Sequence, residues 1–403
     1  MPSDRRTFLS AIACGSAALA GCSRLGSAPS PDDPPPAGVD DLPDPGRHIL
    51  GANGRWSSFG CNAANTREVA DGEAPVEEVS ERWRVETAQT TYHEPVVADG
   101  TVYLLEAQSR LRALDADSGD ELWTLEDTRA VPLVRGGVVY VSSTDTVQAL
   151  EADTGDPLWE REFEVPGRVT GPATYAGDRL ICGAGETVVA LEAETGEEEW
   201  RRDVFGQVLD HAAFVMGYWV VVATEAGMVY LLSEGSGMGG RRWQLPAVPM
   251  APPSADTDTI YVSCRDGTTY ALTDEDGYAD EAYWSADTGW TERGICVANG
   301  RVFLRGTGTL HALGTDDGTR YWSHDVGGWQ HTAPTYGRET VFIGGDALYA
   351  LDPTPDGVLE DGPAVRFQRE FEGRVGPGPV LDNGVLYVVA EVEDGEYALV
   401  ALE

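Results

Sequence analysis

Residues 113–123 read ALDADSGDELW, residues 149–159 read ALEADTGDPLW, and residues 190–200 read ALEAETGEEEW. Each copy follows a β-branched or aromatic run: TVYLLEA at 101–107, VVYVSST at 138–144 and RLICGAG at 179–185. The runs alternate or are uniformly apolar and lack a 3.6-residue period, so they read as short strands and exclude a helical solenoid. Within the phrase, Ala-Leu closes the third strand of a unit. The Asp/Glu-x-x-Ser/Thr-Gly that follows is a turn. Its acidic side chain accepts backbone hydrogen bonds, and Gly119, Gly155 and Gly196 take the positive φ of a bulged hairpin. The aromatic lies in the fourth strand and packs between units. Burying an indole contributes roughly 4–6 kcal/mol before entropy, an upper bound.

Eight such units follow in register, with later runs WVVVATE, TIYVSCR, RVFLRGT, TVFIGGD and VLYVVAE. The terminal aromatics are Trp123, Trp159, Trp200, Trp243, Trp284, Trp322 and Phe367, spaced 36 to 45 residues apart. Seven aromatics for eight runs leaves one missing, because the chain stops at ALVALE. Trp83 in ERWRVE, forty residues before Trp123, supplies it. The expected fold is therefore all-β: a single eight-bladed β-propeller of four-stranded blades over 81–403. Its last blade is closed by an N-terminal strand, so no blade is left with an unpaired edge. Blade 4 degrades the phrase to LLSEGSGMGGRRW, blade 5 lengthens it, and blade 7 inserts ALDPTPDGVLEDGPAVRF; these read as tolerated loop variation.

The charge balance is extreme: 67 acidic against 28 basic residues, every basic one an arginine, for a net charge of -39. That argues against nucleic acid as a partner and against an anionic membrane surface. Since 42% of residues are hydrophobic, the chain is not a disordered acidic tail. Adaptation to high salt, as in haloarchaeal proteins, accounts for it most simply.

The N-terminus reads MPSDRRTFLSAIACGSAALAGC. Arg5–Arg6 with Phe8–Leu9 and a short apolar run resembles a twin-arginine export signal, although Asp4 and Ser10 depart from the usual pattern. Leu19-Ala20-Gly21-Cys22 resembles a lipobox, making Cys22 the lipid-modified first residue of the mature chain. Residues 1–22 are thus expected to be a lipoprotein signal peptide. Residues 23–48, rich in Pro, Asp and Ser, form a disordered tether of roughly 50 Å or more if extended. Residues 49–80 form an N-terminal arm, whose Trp56 and Phe59 are expected to pack across the propeller's underside or outer wall, as core packing in preference to a second binding surface. The implied location is outside the cytoplasm, lipid-anchored to the outer face of the cytoplasmic membrane. Cys61, Cys182, Cys264 and Cys296 lack zinc-site spacing, and no disulfide pair can be named from them.

The phrase A-x-D-A-x-T-G-x-x-x-W, as written at 113–123, 149–159 and 190–200, resembles the pyrroloquinoline-quinone (PQQ) repeat, in register from 81 to the end. Two branches of that family are relevant. One comprises PQQ- and calcium-dependent quinoprotein dehydrogenases of alcohols or sugars. The other is the BamB-like lipoprotein of the bacterial outer-membrane barrel-assembly machine, a non-enzymatic scaffold. Lipobox, tether and one propeller match the second layout. The dehydrogenase branch implies a vicinal cysteine pair, and no Cys-Cys dipeptide occurs here. PQQ with calcium therefore has no supporting site motif, and no cofactor is assigned. DADSGD at 115–120 resembles the start of a calcium loop but lacks the later glutamate and reads as a hairpin turn.

In a propeller, loops entering the innermost strands ring one mouth of the channel. Those loops bring His93, Arg168, Asp210, His211, Trp290, Glu292, Arg293, Trp329, His331 and Arg374. They are the candidate channel-mouth binding residues, for a ligand or protein segment, with arginines suited to carboxylate or phosphate. The three histidines lie on blades 1, 4 and 7, too spread to share a metal. No catalytic set is apparent. The sequence reads as that of a monomeric scaffold that meets envelope proteins or a small ligand at one propeller face, with a quinoprotein dehydrogenase as the alternative.

Overall fold

Each hairpin phrase turns where the sequence places it. Gly119, Gly155 and Gly196 have φ of 79°, 74° and 71°. The register of the third and fourth strands slips by one residue beside each turn, between Ala113 and Leu114 in the first copy. Asp115 accepts hydrogen bonds from the backbone N–H groups of Asp117 and Ser118, at 3.0 and 2.8 Å. In the copies that carry glutamate, Glu151 and Glu192 instead accept from the Thr154 and Thr195 hydroxyls. The longer side chain overreaches the backbone donors.

The computed structural model describes residues 56–69, 73–88, 91–165, 167–175, 177–274, 281–355 and 362–403. The export signal with Arg5 and Arg6, the lipobox with Cys22, and the tether at 23–48 lie outside the described residues. Eight antiparallel sheets form an eight-bladed β-propeller, and no described residue is helical. The first blade runs Val96–Ala98, Thr101–Leu105, Leu111–Asp115 and Glu121–Leu125 from inside to outside. Blade 3 has three continuous strands, and its inner edge is held by bridges from Val169 to Ala184 and from Ala173 to Ile181. In blade 8 the strand Glu81–Thr87 pairs antiparallel with Glu396–Leu402, placing Trp83 opposite Ala401. Ser80 and Glu403 exchange backbone hydrogen bonds at 2.8 and 3.0 Å at the end of this ladder. Start and end of the ring therefore share one sheet.

The repeated tryptophan docks on the next blade's phrase. Trp83 Nε1 donates to the Ala116 carbonyl, Trp123 to Ala152, Trp159 to Ala193 and Trp200 to Glu234, at 2.8–3.0 Å. Trp284 and Trp322 do the same to Thr315 and Pro353. Most of these indoles also lean on an aromatic of their own blade's second strand, such as Trp123 on Tyr103 at 5.8 Å. Phe367 has no N–H to donate and packs on Phe342. Trp243 is buried in the core between blades 4 and 5.

The arm is not on the underside or the outer wall. Residues 56–67 wind through the axial channel and give carbonyl oxygens to one N–H in each of six innermost strands. Val97 donates to Trp56, Val134 to Ser57, Phe214 to Ala63, Ala255 to Ala64, Val297 to Thr66 and Tyr336 to Arg67, at 2.7–2.9 Å. Glu68–Val69 then adds a short parallel strand to Thr335–Gly337 of blade 7. The reason is the inner edge itself: strands facing the axis present N–H groups that must find acceptors when buried, and an outer wall offers no such ring of donors. Trp56 is wholly buried as a result. Cys61, Cys182, Cys264 and Cys296 are all buried.

Candidate functional site

Above the arm, at the mouth ringed by the loops that enter the innermost strands, lies an open cavity of about 140 Å³. Phe59 of the arm contributes to its lining. The Phe59 ring stacks on His211 with centroids 4.4 Å apart and planes 1° from parallel. His211 reaches this place from a left-handed backbone, φ 54°. It crosses so close to blade 3 that a β-carbon on Gly171 would run into its imidazole.

Of the candidate residues, His93, Arg168, Asp210, His211, Glu292 and Arg293 line the cavity. Arg168 of blade 3 pairs with Asp210 of blade 4 at 3.0 Å. Glu292 stands 3.7 Å from Arg293 and 2.7 Å from Nδ1 of His331. Trp329, His331 and Arg374 do not line the cavity but form a stacked wall beside it. The Arg374 guanidinium lies 4.6 Å over Trp329, whose ring meets His331 edge-on at 4.8 Å. His331 in turn meets Tyr92 edge-on at 5.1 Å. Arg293 of blade 6 reaches across the mouth to blade 1 and donates to the Tyr92 carbonyl at 2.6 Å. Trp290 is half-buried and takes no part in the lining.

The sequence reading left Tyr92 and above all Glu94 out of the candidate set, and placed Phe59 on the underside or outer wall. Glu94 lines the cavity, is buried, and forms an ion pair with the fully buried Arg67 of the arm. It also accepts the Gly60 N–H at 2.8 Å, while Arg67 Nε donates to the Pro334 carbonyl at 2.9 Å. A signal was present. Residue 94 precedes a proline, and the same place in other blades holds Val131, Gly171, Pro252, Ala333 and Gly378. A lone acid among small or apolar residues needs a partner, and the partner comes from the arm.

Burial pushes His93 down to about 4, with Arg293 adding repulsion, and His211 down to about 3, with Arg168 adding to it. Burial and then Arg293 also lower His331. All three imidazoles are therefore neutral at pH 7, and the site's charge resides in paired arginines and carboxylates. Such a rim is suited to matching the charges of a ligand.

A family model described as outer membrane protein assembly factor BamB matches residues 77–146, 143–280 and 278–362. The chain belongs to this family. No curated protein sequence matches it. Solved structures with this architecture include BamB from Moraxella catarrhalis, 13% identical over 80% of this chain and 97% of that one, with a TM-score of 0.60. They also include quinohemoprotein alcohol dehydrogenase from Comamonas testosteroni, 15% identical over 86% and 80%, with a TM-score of 0.68. A europium-containing methanol dehydrogenase is 13% identical over 84% and 89%, with a TM-score of 0.60. At these identities the likeness concerns the fold, and it extends equally to scaffold and enzyme.

The dehydrogenase likeness raises the question of a quinone and its metal. The described residues of this BamB-family chain do not fit them. They contain no group of three His, Cys, Asp or Glu side chains placed to hold a metal, whereas calcium takes six to eight oxygens. The arm occupies the axis beneath the mouth, and what remains above it is well short of the roughly 300–1,000 Å³ that encloses a drug-sized ligand.

Proposed function

We propose that this BamB-family propeller is a non-enzymatic binding scaffold that engages a protein segment or small ligand at the channel mouth. The observation that carries the reading is the threaded arm. It fills the axis and leaves a shallow, charge-paired cavity in place of a deep chamber. Loops from every blade but one meet there on a ring held rigid by tryptophan docking, which suits recognition of an extended partner. Paired rim charges steer and register such a partner more than they add affinity. The Arg5–Arg6 and Cys22 motifs support a place on the outer face of the cytoplasmic membrane, where an envelope protein is the natural partner of a lipid-anchored monomer. BamB, by its family description, is an assembly factor, and the same type of role is proposed here without its specific outer-membrane substrate.

The test is cross-linking of the native lipoprotein in intact membranes. A discrete envelope partner is expected, and it should be lost when Arg168 and Arg293 are both replaced by alanine. A second reading, a PQQ-dependent dehydrogenase, rests on the TM-score of 0.68 to the Comamonas enzyme. Dye-linked oxidation of an alcohol or sugar on adding PQQ and calcium to the purified protein, with no partner found, would replace the scaffold reading by the enzymatic one.

A further inference from the structure

Among the described residues three arginines are fully buried: Arg67, Arg301 and Arg305. Arg67 meets Glu94 and the Pro334 carbonyl. Arg305 donates from Nη1 to the Gly306 carbonyl at 2.9 Å and from Nη2 to the Gly327 carbonyl at 2.8 Å. Arg301 begins the same strand, Arg301–Arg305, and points to the same side. Among the described residues its Nε, Nη1 and Nη2 all lack an acceptor.

The surroundings explain why no protein group serves. Arg301 lies opposite Gly314, which has no side chain to offer. Its guanidinium sits 5.4 Å over the Tyr321 ring, a contact that supports the cation's face but leaves the in-plane N–H groups free. Tyr336, across the junction with blade 7, receives the Asn299 amide at 3.5 Å. The carboxylate whose charge acts on Arg301 is Asp352, and it is committed: Oδ2 accepts from Arg366 at 3.0 Å and Oδ1 from the Thr354 N–H at 2.9 Å. Burial lowers the affinity of Arg301 for its proton, yet a guanidinium stays charged at any physiological pH. A buried guanidinium whose N–H groups find no acceptor is costly, even with a shared carboxylate acting on it at a distance. Two of the buried arginines find acceptors within the chain, and the third is held as if for a group the chain does not supply.

We infer that the Arg301 guanidinium, at the junction of blades 6 and 7, binds a small monovalent inorganic anion through its in-plane N–H groups, beneath Tyr321. A halide suits the place because it brings one negative charge, accepts several N–H donors at once and demands no donors in return. A carboxylate or phosphate would bring more bulk than a single monatomic ion to a side chain that is already buried. The site lies between blades, apart from the channel mouth, so it stands or falls independently of the scaffold reading.

Chloride is the probe. Thermal unfolding of the full chain is followed in sodium chloride and in sodium acetate at equal ionic strength, for the wild type and for Arg301→Met. The chloride-over-acetate gain in melting temperature should be roughly 2–4 °C larger for the wild type than for Arg301→Met. Equal gains in both proteins overturn the proposal, as they would if water or a carboxylate outside the described residues satisfied Arg301. Should Arg301→Met fail to fold, wild-type crystals grown in sodium bromide decide: an anomalous peak against the guanidinium supports the site, and its absence refutes it.

Discussion

The indole of Trp123 fills the space into which a β-carbon on Gly155 would project: that atom would lie 2.8 Å from Cδ2 of the ring. The same relation joins Trp83 to Gly119, Trp159 to Gly196, Trp200 to Gly237 and Trp284 to Gly318. Glycine is thus required twice at these turns, by a positive φ and by the neighbouring blade's ring. Gly155→Ala is expected to cost about 2–4 kcal/mol, combining backbone strain with overpacking. Gly395 is the internal control, since it has φ 76° and open space within 4 Å of where a β-carbon would stand. Gly395→Ala should cost only about 1 kcal/mol. Denaturant unfolding of the two variants measures the difference, and equal losses would remove the docking argument.

The hydrogen bond from each tryptophan can be separated from its ring. Trp322 is buried and donates to the Pro353 carbonyl at 2.8 Å. Trp322→Phe should lose about 2–4 kcal/mol in denaturant unfolding, because the smaller ring leaves space and the carbonyl loses its donor. The reverse change at Phe367 adds a donor and a larger ring to a junction not shaped for them, and should also destabilise.

Arg67 and Glu94 join the arm to the channel mouth. Glu94→Gln leaves a fully buried guanidinium without its counter-charge and should destabilise by about 3–5 kcal/mol. Arg67→Met paired with Glu94→Gln should cost clearly less than the two single losses combined, a coupling that a double-mutant cycle measures. Additive losses would show that the pair does not act as a unit.

Stability should fall with acid before the carboxylates begin to titrate. His93 and His211 are held neutral in the folded chain, at about 4 and about 3, against an ordinary value of 6.5. Below pH 6.5 the unfolded chain therefore binds protons that the folded chain refuses. Stability rises with pH across this window and is lost as pH drops from 6.5 toward 4, by up to about 1.4 kcal/mol per pH unit for each histidine. His211→Gln, compared with the wild type between pH 7 and 5, should flatten part of that slope. An unchanged slope would mean that His211 is accessible to protons in the folded protein.

Much of the architecture is legible in the chain as written. The period near forty, the phrase ending in tryptophan and the position of Trp83 together specify eight blades and the strand that closes the last one, because those features are local and repeat in register. Loop position within the repeat also placed six candidate residues on one cavity. Trp290 does not line it, because position in a loop does not determine which way a side chain turns.

The path of the arm was decided only by the tertiary structure. GRWSSFGCNAANTREV has no periodicity to announce a partner, and its partners are backbone N–H groups of six strands scattered from Val97 to Tyr336. Backbone donors carry no sequence signature, so their need for acceptors becomes visible only once the ring has closed around the axis. The pairing of Arg67 with Glu94 and the isolation of Arg301 arise in the same way. Each is set by what burial leaves within reach of a charge, a distance in space that the order of residues does not contain.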